Sequence, residues 1–148
     1  MTFPTWSDAI DAVNRLGPQS RMTGTWSLAN VLEHAAQSID FSISGFPEVK
    51  SALFQSTIGT AALAVFDARG RMSHGLAEPI PGAPPLALAF DAARERLLAS
   101  IARFQAHTGA LSPHFAYGAL DKARYTRAHL MHLANHWTEL APTQGAPR

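Results

Sequence analysis

The sequence predicts an all-α domain, and three observations predict it. Apolar residues recur three and four apart in five successive stretches, the spacing of one face of a helix. The first four stretches run into glycine stops, at Gly17-Pro18, Gly45, Gly70 and Gly109. The last stretch, Tyr125 to His136, sets Tyr125, His129, His132 and His136 four, three and four residues apart. At about 100° per residue these four side chains share an arc of roughly 60° on one helix face.

Taken in order, a first helix starts at a cap on Thr5 or Ser7 and runs to about Leu16, with Trp6, Ile10, Val13 and Leu16 as its stripe. Ser27 caps a second helix that reaches Ser44 and carries Leu28, Val31, Ala35 and Ser38 on one side, with His34 one step from that stripe. A third helix over residues 50–68 is expected to turn Leu53, Phe54, Ile58, Ala61, Ala62, Val65 and Phe66 inward. Its Gly59 costs about 1 kcal/mol of helix propensity relative to alanine, which invites a kink. Residues 71–85, rich in proline and glycine, form a long strap in which His74 and Glu78 read as turn or surface residues. A fourth helix spans 86–107 with Phe90, Leu97, Ile101 and Phe104 inward, and a loop at 111–120 leads through Asp121 into the terminal helix. Residues 1–140 are read as one domain and 141–148, which lack an apolar period, as a disordered tail.

Composition narrows the function. Twelve Lys+Arg stand against 11 Asp+Glu, with no basic run to follow a phosphate backbone, so nucleic acid is not an expected partner. Charged residues make up 16% and apolar types 47% of the chain, which leaves little charge to cover a monomer and points to a homodimer. The longest apolar stretch, near residues 58–66, is too short to span a bilayer, and the first residues lack the pattern of a signal peptide, so a cytoplasmic location away from membranes is expected. Without cysteine, a metal ion could be held only by histidine and carboxylate.

The chemistry concentrates in the last helix. A buried neutral imidazole brings one donor and one acceptor, and leaving either unpaired costs roughly 1–3 kcal/mol, so a histidine-lined core face needs partners, water or a metal ion. His132 and His136, one turn apart, can both reach one ion but require at least a third ligand from elsewhere. His34, alone on its helix, reads as a hydrogen-bonded core residue unless another helix brings imidazoles to it, which the terminal helix does. The glutamate that follows the first histidine in zincin peptidases is absent, since Leu133 stands there. Tyr125 and His129, on the same face, are the candidates for proton transfer or substrate contact.

Several segments together carry a resemblance: Trp26-Ser27-Leu28 through Leu32-Glu33-His34-Ala35-Ala36-Gln37, Gly45-Phe46-Pro47, His114-Phe115-Ala116-Tyr117-Gly118-Ala119-Leu120, and His132-Leu133-Ala134-Asn135-His136. In these the chain resembles the DinB/YfiT-like superfamily of metalloenzymes, and within it a subgroup of unknown function. The resemblance implies a DinB-like four-helix bundle, here with an extra short helix and long loops. It implies a divalent metal ion, with zinc or nickel expected, on His34, His132 and His136. His129 is not part of that pattern and is left as a residue that hydrogen-bonds a ligand, a fourth ligand or a polar neighbour of Tyr125, while His114 caps the open end of the site or holds its loop. The implied activity is metal-dependent hydrolysis or thiol transfer on a small-molecule substrate. The reading set against it is a non-catalytic dimeric bundle, an interaction or small-molecule-binding module whose histidines only hydrogen-bond.

Overall fold

The computed structural model describes residues 1–142, and all regular structure among them is helical apart from two isolated bridges. The elements are α1 (Trp6–Asn14), α2 (Leu28–Ser44), a short α3 (Ala52–Phe54) that runs through a π-helical turn (Gln55–Gly59) into α4 (Thr60–Arg69), α5 (Phe90–Ala106) and α6 (Lys122–Trp137). The expected tail lies mostly outside the described residues, although Ala141 still donates to the Arg21 carbonyl at 2.9 Å.

α2 is the central helix. Residues 31–39 are buried without interruption, so every side of it is covered. It packs along α5 and against α6, while α1 lies across α5 and α6 and inserts Trp6 beside Phe104. Caps fix the starts: Thr5 and Asp8 form a reciprocal capping box on α1, Ser27 accepts from the Asn30 N–H at 3.2 Å, and Asp121 accepts from the Arg124 N–H at 2.8 Å. At its far end α2 stops on Gly45, whose φ of 102° a side chain would disfavour.

Two expectations are corrected. α5 starts at Phe90, four residues later than the expected fourth helix. The Glu33 carboxylate, 4% exposed, holds the chain extended by accepting the N–H groups of Ala87 and Leu88 at 2.8 and 2.9 Å. The second correction concerns α4. Leu53, Ile58 and Val65, expected inward, are 73%, 62% and 45% exposed, and Leu63 is the fully buried apolar side chain of this arm. The π turn accounts for Ile58 and Val65: its extra residue carries the inward face from Phe54 by five positions to Gly59, then to Leu63 and Phe66.

The break falls at the glycine that invited it. A Cβ on Gly59 would lie 1.8 Å from the Ala116 carbonyl oxygen, so the arm and the 111–120 loop approach in a way only glycine allows. Gly59→Ala is expected to destabilise the fold by about 1–3 kcal/mol through this clash, seen as a lowered midpoint in urea unfolding. A wild-type midpoint would show that the loop yields freely.

Candidate metal centre

α2 and α6 cross so that one imidazole from the first meets two from the second. Nε2 of His34 lies 3.1 Å from Nε2 of His132, which lies 3.2 Å from Nε2 of His136, and the three residues' ligand atoms all fall within 4.8 Å of one another. Hydrogen bonding alone serves this arrangement poorly. A single in-plane site on His132 Nε2, either a proton or a lone pair, faces two neighbours at once. A cation serves it well: metal–nitrogen bonds of about 2.0–2.1 Å at tetrahedral angles place ligand nitrogens about 3.3 Å apart. The site is therefore able to bind a metal ion. Burial favours the neutral, ligating form, holding His34 down to about 4 and His136 to about 3, with the other histidines adding to the effect. His132 is pushed well below the ordinary range by desolvation and then by His34 and His136.

Trp26, which no spacing argument singled out, covers the back of the cluster, its ring 5.0 Å from His34 and stacked at 6.2 Å on His136. On the open side lies a cavity of about 260 Å³ whose walls include Ser38, Met72, Ile80, Phe115 and Tyr117, with Lys50 and Glu78 as its charged groups. Nδ1 of His34 and of His136 is buried and has no hydrogen-bond partner among the described residues, so their tautomers are set by the Nε2 cluster.

His129 and His114 are committed elsewhere. Ser42 donates its hydroxyl proton to the Ile39 carbonyl at 2.6 Å and so accepts from His129 Nε2–H at 3.2 Å, deep between Trp6, Phe104 and Tyr125. The Tyr125 hydroxyl donates to the Ser112 carbonyl at 2.6 Å, and burial raises it well above its usual range. These two candidates for proton transfer are thus held in structural hydrogen bonds, although His129 borders the cavity. His114 does hold its loop: Nδ1 accepts the N–H groups of Ala116 and Tyr117 at 3.1 and 3.2 Å, and its ring stacks on Tyr117 at 4.3 Å. With Nδ1 accepting, the proton sits on Nε2, the one donor this ring can offer the cavity it lines. Glu33, next to His34, is consumed by the strap and by Arg96.

His74, read as a turn or surface residue, stands half-buried on the strap, with its ring 4.9 Å from that of His132 and 5.5 Å from that of His136. No periodic signal could have found it, since it stands on an irregular strap.

Fold and site define a helical-bundle protein with a three-histidine cluster between two core helices. Residues 1–143 match the family described as protein of unknown function (DUF1569), and the chain belongs to that family. No curated protein and no solved structure matches it.

Burial makes the metal-free fold acid-sensitive. His114 and His129 are both held at about 3, mainly by desolvation, against 6.5 in the unfolded chain. Below pH 6.5 the unfolded state therefore binds protons that the folded state refuses, so stability is full above that pH and falls towards pH 3. Thermal unfolding of the chelated protein should show a melting temperature that is flat from pH 7 to 8 and declines steadily from pH 6.5 to 4.

Proposed function

We propose that this chain is a divalent-metal-binding protein of DinB-like type, with His34, His132 and His136 as ligands and zinc or nickel as the ion. The convergence of three Nε2 atoms, 3.1 and 3.2 Å apart in successive pairs, carries the reading. Such an ion supplies Lewis acidity towards an oxygen or thiol donor, which suits a metal-dependent hydrolase or thiol transferase acting on a small molecule. The protein's own part is to bind and orient. Met72, Ile80, Phe115 and Tyr117 would pack the apolar body of a substrate, and His114 Nε2–H would donate a hydrogen bond to it. Lys50 stands at the cavity for a negatively charged group.

One observation favours a second reading, a ligand-binding module without catalysis. Tyr125, His129 and Glu33 are all engaged in structural hydrogen bonds, which leaves the exposed Glu78 as the carboxylate at the cavity. Turnover in a screen of ester and thiol-adduct substrates, lost on chelation, would decide for the enzyme.

The metal itself is tested first. Protein from cells grown with nickel and zinc is expected to carry about one equivalent by plasma emission, and His132→Ala very little. Chelation should lower the melting temperature, because an ion at 100 times its dissociation constant stabilises by about 2.7 kcal/mol. Equal, negligible metal in both proteins would refute the centre.

A homodimer remains part of the proposal. The outward apolar side chains Leu53 and Ile58 on the arm support it, and cytoplasmic residence fits the absence, among the described residues, of a helix long and apolar enough to cross a membrane. Sedimentation should give a dimer at micromolar concentration and a monomer for Ile58→Asp, whereas a wild-type monomer would dismiss the interface.

A further inference from the structure

The metal centre has a fourth imidazole beside it, and the tautomer of that imidazole is already fixed. In a tetrahedral site with metal–nitrogen bonds of about 2.0–2.1 Å, the centres of ligating imidazole rings lie about 5.2 Å apart. The triad rings are 5.0, 5.2 and 4.9 Å apart. His74 stands at 4.9 Å from His132 and 5.5 Å from His136, close to that spacing for two of the three triad rings, although it lies outside the group whose ligand atoms fall within 4.8 Å of one another.

Its Nδ1 lies 3.0 Å from the Gly75 carbonyl oxygen and 3.4 Å from the Asn135 side-chain amide. The carbonyl can only accept, whereas the amide can present either end, so Nδ1 carries the proton and Nε2 keeps a free lone pair. A donated Nδ1–H to a backbone carbonyl is the arrangement that prepares a histidine to ligate through Nε2. Among the described residues, the Nδ1 atoms of His34 and His136 have no such partner.

The strap holds His74 at the centre without locking it there. On one side Met72 is buried; on the other Ile80 is buried and the Pro84 carbonyl accepts from Gln37 at 2.9 Å. Between these anchors residues 73–79 are exposed or half-buried and carry no regular structure, and His74 and Glu78 line the cavity from this segment.

We propose that His74 is a fourth, exchangeable ligand of the metal ion, closing its coordination when the cavity is empty and yielding to an anionic donor, a thiolate or carboxylate, that enters the cavity. This rests on the three-histidine metal reading. The ligand it implies is small, has an apolar body to suit Met72, Ile80 and Phe115, and must compete with a neutral imidazole for the ion. The strap is thus a lid whose latch is a metal bond.

Cobalt(II) titration of the chelated protein tests this, read by visible absorption, which reports the donor set, and by the dissociation constant. His74→Ala is expected to weaken binding by roughly tenfold or more and to change the spectrum, with free imidazole restoring the wild-type spectrum. His107→Ala, which removes a histidine bonded to the Ala110 carbonyl in its own turn, should behave as wild type. Because imidazole rescues only a vacated coordination position, rescue separates a lost ligand from a damaged fold. Wild-type affinity and spectrum in His74→Ala, with binding abolished in His132→Ala, would overturn the fourth ligand and leave the centre standing. Wild-type binding by His74→Gln would overturn it equally, whereas no cobalt binding by the wild type would remove both.

Discussion

The structure depends on placing imidazoles in the seam between two core helices. Each ring buried there arrives with one donor and one acceptor, and an unmatched one costs roughly 1–3 kcal/mol, so the seam is stable only where every ring finds an answer. The answers differ. His129 gives its proton to a serine, and His114 takes two backbone N–H groups. His34, His132 and His136 answer chiefly to one another through nitrogens of the same kind. A seam of leucines would hold these helices together at lower risk. Three converged lone pairs make sense as a site that gives up some metal-free stability for cation affinity, since ligand binding returns stability to the folded state by mass action.

α2 performs this division by helical spacing alone. His34, Ser38 and Ser42 stand four residues apart on one face, towards the triad, the cavity and His129 respectively. Glu33, Gln37 and Asp40 stand on another. Glu33 and Gln37 hold the strap, and Asp40 pairs with Arg96 and Arg103 of α5, Arg96 reaching Glu33 as well at 3.4 Å. One polar stripe builds the site and the other fixes the α5 side and the chain that closes over it. The carboxylate beside His34 is therefore unavailable as a base for the same reason that the strap is in place.

What the sequence made legible is what helical period can carry. The row from Tyr125 to His136 and the cap at Ser27 follow from the pattern of regular helices, whereas the partnership of His34 with His132 and His136 is what the family resemblance implied. Period failed where the helix did: a π turn shifted the inward face of the third helix by one residue and exposed Ile58 and Val65. It also said nothing of the strap, where His74 owes its place to tertiary anchors on Met72 and Ile80 and not to any local repeat. Glu33 adjoins His34 and so stands on another face of α2, but its two long-range backbone partners could not be seen in one dimension. Tyr125 shared the histidine face, yet its phenol reaches past the site to a loop carbonyl.

The π turn also ties the outer arm to the cavity. Gly59 lies against the Ala116 carbonyl, the Lys50 N–H donates to the Phe115 carbonyl at 2.8 Å, and the Gln55 amide borders the same oxygen at 3.5 Å. Residues 114–118 close on themselves through paired bonds of 2.8 and 3.1 Å between His114 and Gly118, so the loop moves as a unit with whatever holds its middle. That unit carries His114, Phe115 and Tyr117, three of the residues lining the cavity. The arm's outward face is apolar and its inward face grips the loop, so a second copy seated on Leu53 and Ile58 would bear directly on the segment that shapes the site. A regular helix in place of the π turn would have turned Ile58 towards the face of Phe54 and moved Gly59 off the Ala116 carbonyl. The local irregularity thus serves the surface and the cavity together.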